Sequence, residues 1–181
     1  MKEKKELRAL IKSLKEQLTD EDKLAQAEEV HYQLEQSTVF KEAKAILLYW
    51  AMSDEIATQS FVNKWYQRKE IYLPVIHGDD LKIVRYEGEE SLVPGDKYGI
   101  PEPAGEVIDD EERIDLVVVP GVAFDGQNNR MGRGAGYYDR ILNRIPKASK
   151  VALAYDFQMV DQVPVEPHDV KMDLVLTKIK A

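Results

Sequence analysis

"DLVVVPG" at residues 115–121, followed by "RMGRGAGYYDRIL" at residues 130–142, decides how this chain is read. Leu116 to Val119 form a short apolar run without alternation, which is the pattern of a strand covered on both faces. The run stops at Pro120. After the glycine loop, Tyr138, Ile141, Leu142 and Ile145 recur at helical spacing, so the spacing predicts a helix over residues 137–145. Strand, glycine loop and helix follow one another, which is the unit of a parallel sheet.

Outward from this unit the alternation continues. "KVALAY" and "MDLVLT" read as two later strands, and "AKAILLYW", "IYLPVI" and "LKIVRY" as three earlier ones. Leu7, Leu10, Ile11, Leu14 and Leu18 mark an amphipathic N-terminal helix with its charges outward. Thr19 with Asp22 resembles a capping box opening a second helix through Leu24, Ala27 and Leu34. Thr58 is expected to cap a third, bearing Phe61, Val62 and Trp65. Residues 87–112, rich in Pro, Gly and acids, read as a long loop. The expected architecture is α/β in three layers, α/β/α, around a mainly parallel twisted sheet, with residues 1–181 as one domain.

Composition narrows the function. Apolar residues make up 44% and charged ones 32%, which suits a soluble globular protein rather than a disordered one. A formal charge of −8 disfavours broad attraction to nucleic acid or to an anionic membrane, so any anion site has to be local. The absence of cysteine removes disulfides, thiolate metal sites and cysteine nucleophiles, and fits a reducing compartment. The N-terminus is charged throughout and no apolar run is long enough to span a bilayer. A cytoplasmic protein is expected.

The loop supplies the local anion site. Gly132, Gly134 and Gly136 let backbone amides approach a ligand closely, and the helix beginning near Gly136 adds its positive dipole end. Arg130, Arg133 and Arg140 add fixed charge suited to phosphate or carboxylate. Glycines alone fit a solvated turn equally well; the arginines and the strand-loop-helix context favour a polyphosphate cradle. The spacing is neither the Walker pattern nor the dinucleotide fingerprint. Asp139, in the first helical turn, suits the helix dipole and, beside such a cradle, a magnesium ion. Asp169 in "EPHDVKMD" reads by itself as a turn residue. His31, His77 and His168 lack the partner pattern of a zinc site or a triad, Asp79 and Asp80 read as a hairpin turn, and residues 109–112 as a solvated acidic approach to the next strand.

Together these residues resemble a family. "VVVPGVAFDGQNNRMGRGAGYYDRIL" is similar to the signature of 5-formyltetrahydrofolate cyclo-ligases, also called 5,10-methenyltetrahydrofolate synthetases, and "KKELR", "MSDEIAT", "GIPEP" and "HDVKMDLVLT" are similar to further family motifs. The resemblance implies a NagB/RpiA-like fold and a reaction in which MgATP drives closure of 5-formyltetrahydrofolate to 5,10-methenyltetrahydrofolate, with ADP and phosphate released. It implies ATP contacts at Lys4, Arg8, Arg130, Met131, Gly132, Arg133, Gly134, Ala135, Gly136, Tyr137 and Tyr138. It implies substrate contacts at Glu55 and, within the loop, from Arg133 through Tyr137, with Trp50 nearby to pack on a flat ring. It implies magnesium at Asp139 and Asp169, and Arg133 as the catalytic group that stabilises the transferring phosphoryl. Without the resemblance Lys4 and Arg8 read as a solvated helix face and Glu55 as a loop acid. Ala135 departs from the basic or glycine residue common in the family, and Glu102 in "IPEP" lies near the site without an assigned role. The expected partners are 5-formyltetrahydrofolate and ATP, with no nucleic acid and no membrane, on a monomer, with a homodimer as the alternative. A noncatalytic folate- or nucleotide-binding module is the runner-up reading.

Overall fold

A computed structural model describes residues 2–95 and 97–178. Helices α1 (Lys2–Lys15), α2 (Asp20–Gln36) and α3 (Thr38–Glu42) precede strand β1 (Ala45–Leu47), and α4 (Gln59–Trp65) leads to β2 (Glu70–His77) and β3 (Asp80–Arg85). Two short strands, β4 (Leu92–Val93) and β5 (Glu102–Pro103), come before β6 (Leu116–Val119). A second small pair, β7 (Ala123–Phe124) and β8 (Arg130–Met131), precedes α5 (Tyr137–Arg144), β9 (Ser149–Leu153) and β10 (Leu174–Leu176). The main sheet has the order β10-β9-β6-β1-β2-β3, and every pairing in it is parallel except that of edge strand β3 with β2.

Strand side chains alternate between two apolar layers, because successive residues point to opposite faces. Ile46, Ile71, Leu73, Leu116, Val118, Val151 and Leu153 pack with Val30 and Leu34 of α2, Phe40 of α3 and Phe61 and Val62 of α4. Leu47, Tyr72, Val117, Val119 and Ala152 pack on the other side with Ile141 and Leu142 of α5. The three-layer α/β/α reading therefore holds, with α2 to α4 on one face and α5 on the other. Ile11 of α1 joins Val122, Ala123, Met131 and Val163 in a third cluster, which seats α1 against the β7–β8 hairpin. No helix among the described residues is long and apolar enough to cross a membrane.

Several local expectations change. The first strand is shorter than "AKAILLYW": Leu48 still bonds Tyr72 and Tyr49 is still buried, but the chain leaves the ladder there. Thr19 caps α2 as expected, its hydroxyl accepting from the Asp22 amide at 3.1 Å. Thr58 stands before α4 but makes no side-chain cap. Its hydroxyl is buried, donating to the Tyr49 carbonyl and accepting from the Ala51 amide, so it closes the turn after β1 instead. The 87–112 segment contains the β4–β5 pair, and its end runs along β3 through Arg85 N to Glu106 O and Ile108 N to Ile83 O, each below 3.0 Å. Asp79 sits in the two-residue turn between His77 and Asp80, and Asp80 is held by Arg144 at 2.6 Å. The β7–β8 hairpin is absent from the sequence reading; its turn is organised by buried Asp125, which accepts from the amides of Gln127, Asn129 and Val163.

Candidate active site

The chain leaves β1 toward β2 and β6 toward β9, in opposite directions across the sheet, so β1 and β6 flank a switch point. Open α/β sheets place ligands beyond the carboxyl ends of such strands. There, a cleft of about 390 Å³ opens between Tyr49 to Glu55 after β1, Pro120 and Gly121 after β6, the glycine loop, the N-terminal part of α1 and an arm of residues 97–102. Its size is that of a small-molecule pocket.

Most of the residues singled out in the sequence line this cleft: Lys4, Arg8, Trp50, Glu55, Arg130, every residue from Gly132 to Asp139, and Asp169. Met131 does not. It is one residue of the β7–β8 hairpin, its side chain is buried with Ile11 and Val163, and its carbonyl accepts from the Val122 amide. Arg140 also lies outside the lining: it holds the loop from behind by donating to the carbonyls of Ala135 and Asp79.

The glycine loop owes its shape to backbone torsions that other residues seldom adopt. Gly134 has φ of +114° and Gly136, directly before α5, has φ of +75°. The Gly136 turn opens α5, whose first residues Tyr137 to Asp139 line the cleft, and a helix N-terminus favours an anion. Arg8 reaches across from α1 and donates through Nε to the Gly132 carbonyl at 3.1 Å. Arg130 is buried, donates to the Pro120 carbonyl at 2.7 Å, lies over the Tyr138 ring and stands 3.7 Å from Asp139. Burial draws its pKa below the ordinary guanidinium value, against the pull of Asp139.

Arg133 lies at the other rim. Its Nη2 donates to Asp54 at 2.7 Å and is 3.9 Å from Glu55. Glu55 is mostly buried and accepts from the Met52 amide at 2.8 Å. Burial pushes its carboxyl above the usual glutamate value, with the Met52 amide and Arg133 opposing. The phenols of Tyr49 and Tyr138 flank it, and burial raises both. The cleft thus brings together fixed positive charge at Arg8, Arg130 and Arg133, the glycine loop, and an acid among Tyr49, Trp50 and Tyr138, with Arg133 next to that acid.

At a third corner, Lys4 contacts Glu166 at 3.4 Å and Asp169 at 3.2 Å, while Asp139 accepts from the Val170 amide at 3.2 Å. That last bond brings Asp139 of α5 beside the segment carrying Asp169. Glu166, His168 and Asp169 place ligand atoms within 4.8 Å of one another.

Sequence reasoning missed Asp54, Lys15 and Glu166, and reached the arm only through Glu102 in "IPEP", without Lys97 and Tyr98. Asp54 directly precedes Glu55 and gave no separate signal. Lys15 shares a helical face with Lys4 and Arg8, a spacing that was available. The arm contributes Lys97, whose Nζ donates to the Tyr137 hydroxyl at 3.2 Å, and Tyr98. It also contributes Glu102, which accepts from the Ile76 amide at 2.9 Å and so fixes the arm to the end of β2.

Fold and cleft together define an α/β architecture with a glycine- and arginine-rich loop at the sheet's switch point. The sequence model of the 5-formyltetrahydrofolate cyclo-ligase family matches residues 1–178. The mouse 5-formyltetrahydrofolate cyclo-ligase is 30% identical over 96% of this chain and 92% of its own, and the Escherichia coli K12 enzyme of that name is 33% identical over 76% and 80%. The solution structure of Aquifex aeolicus 5,10-methenyltetrahydrofolate synthetase superposes with a TM-score of 0.85 at 34% identity, covering 95% of this chain and 88% of that one. This chain belongs to the 5-formyltetrahydrofolate cyclo-ligase family.

Proposed function

We propose that this protein uses ATP to close 5-formyltetrahydrofolate to 5,10-methenyltetrahydrofolate, as a single domain acting on small molecules in the cytoplasm. The observation that carries the reading is the cleft's lining: Lys4, Arg8, Arg130 and the glycine loop share one space with Glu55 and Trp50, and Arg133 stands 3.9 Å from Glu55.

A formamide oxygen is a poor leaving group, which is why the closure needs ATP. The γ-phosphoryl moves from ATP to the formyl oxygen and ADP departs. N10 of the same substrate adds to the activated carbon and gives up its proton, and the carbon–oxygen bond breaks as phosphate leaves. Both reacting nitrogens belong to one molecule, so the chain's work is positioning and charge stabilisation. Arg8 and the loop amides hold the phosphates. Arg133 follows the charge of the transferring group with a guanidinium that stays protonated. Glu55 accepts hydrogen bonds from the amino and amide edge of the pterin, and Trp50 packs on a flat ring.

Magnesium is part of this reading. Asp139 and Asp169, with Glu166 beside them, offer the hard oxygen donors this ion prefers, next to the expected phosphates. When bound it neutralises phosphate charge during transfer.

Purified protein mixed with 5-formyltetrahydrofolate, magnesium and ATP is followed by the absorbance of the 5,10-methenyl product, with a no-ATP control and Asp139→Asn. Product only with ATP and wild-type protein supports the reaction and the metal position. A folded, ATP-binding protein that makes no product overturns the reading in favour of a noncatalytic binding module.

A further inference from the structure

Helix α1 sends three cations in one direction. At 3.6 residues per turn, Lys4, Arg8 and Lys15 fall within about 40° of one another around the axis. Lys4 meets Asp169 and Arg8 meets the Gly132 carbonyl, both in the cleft. Lys15 does not line the cleft, yet only 11% of its side chain is exposed. It reaches Asp54 instead, 3.5 Å from Nζ to Oδ2.

The other oxygen of that carboxylate meets a residue that lines the cleft. Oδ1 of Asp54 accepts from Nη2 of Arg133 at 2.7 Å, and the same nitrogen is 3.9 Å from Glu55. Asp54 therefore divides its two oxygens between a cation behind it and a cation in the cleft wall. A carboxylate fixed in this way sets the direction of a guanidinium, because the forked donors are planar and directional.

We propose that Asp54, anchored by Lys15, is a positioning residue for Arg133 in the cyclisation, so that α1 reaches the phosphoryl-transfer arginine through one carboxylate. The inference rests on the cyclo-ligase reading. Neither Lys15 nor Asp54 lines the cleft; both act through Arg133. Burial draws the Lys15 ammonium below the ordinary lysine value despite Asp54. Asp54 is held below the ordinary aspartate value: partial burial works against this, and the hydrogen bond from Arg133 and the charge of Lys15 outweigh it. A plain surface salt bridge between α1 and the loop after β1 would behave differently, since it would change stability slightly and leave turnover per folded molecule alone.

The test uses the full chain and the methenyl-absorbance assay, with kcat, KM and melting temperature measured for Asp54→Asn, Asp54→Glu, Lys15→Met, Lys15→Arg and the double variant Asp54→Asn/Lys15→Met. Lys12→Met on the exposed side of α1 serves as control. Asp54→Asn is expected to lower kcat roughly ten- to a hundredfold, the scale of a misplaced catalytic group, with a smaller change in KM for the folate. Lys15→Met lowers kcat less, in the same direction. Asp54→Glu and Lys15→Arg recover part of the loss. The double variant is no slower than Asp54→Asn, because both residues act along one chain of contacts. Wild-type turnover together with full kcat in Asp54→Asn, or with additive losses in the double variant, overturns the relay and leaves the cyclo-ligase reading intact. Absence of wild-type turnover overturns the cyclo-ligase reading and the relay with it.

Discussion

Arg8 and Gly132 are 124 residues apart in the chain, yet the guanidinium of one donates to the carbonyl of the other at 3.1 Å. The bond joins the N-terminal helix to the glycine loop, and Arg8 lines the cleft there.

Removing that guanidinium deletes this bond and withdraws charge from the proposed phosphate site. Arg8→Met is expected to raise KM for ATP about ten- to a hundredfold, the worth of one charged hydrogen bond, with a smaller change in kcat. Steady-state kinetics with varied ATP checks this, and an unchanged KM would place Arg8 outside ATP binding.

Arg133 has a different signature. Its proposed partner is charge that develops during transfer, so Arg133→Ala is expected to lower kcat and kcat/KM together, by about two to three orders of magnitude. A rise in KM alone would assign it to ground-state binding.

Gly134 tests the loop's geometry. At φ +114° a side chain is strained by about 1 to 3 kcal/mol. Contact is not the difficulty, since a Cβ there would meet the Arg8 guanidinium at an ordinary 3.5 Å. Gly134→Ala is expected to weaken ATP binding and lower the melting temperature. Gly126→Ala, in open space without a positive φ, leaves both unchanged.

Glu55 sets activity against stability. Its folded-state pKa lies above the ordinary glutamate value of 4.5, so the folded protein holds a proton that the unfolded chain releases first. The associated stability is complete below the unfolded value and is lost as pH rises through the folded one. Glu55→Gln removes this pH-dependent loss. The variant is expected to melt higher than wild type at neutral pH, with the gap closing below pH 4.5, while turnover falls. Thermal melts across that range decide it.

Thr58→Val keeps the shape and deletes the hydroxyl that joins Tyr49 to Ala51. Buried backbone groups lose their partner, at a cost of about 1 to 3 kcal/mol. Urea unfolding measures the loss, and a change within experimental error would show that the turn rearranges to satisfy itself.

Strand positions were legible where apolar runs are short and unbroken, as in Leu116 to Val119, because such runs require cover on both faces, while the run from Ala45 to Trp50 marked β1 but overran its end at Leu47. The glycine loop was legible from its composition together with the strand before it and the helix after it. Thr58 misled because a hydroxyl before a helix fits an N-cap and a buried turn equally well, and only the packing of Tyr49 chose between them. The β7–β8 hairpin escaped because its two-residue strands carry almost no period, and the Asp125 amide network that holds it closes only after folding.

By itself the sequence determined the α/β alternation and the glycine–arginine loop, since each depends on local spacing along the chain, while Lys4, Arg8 and Glu55 were reached through the family resemblance and not through spacing. Tertiary structure decided the partners: Lys15 with Asp54, Asp54 with Arg133, Arg8 with Gly132, and Met131 turned into the core instead of the cleft. Charges are visible in a sequence. Which charges meet depends on distances of a few ångströms between segments far apart in the chain, and those distances exist only once the sheet has paired and its helices have packed against it.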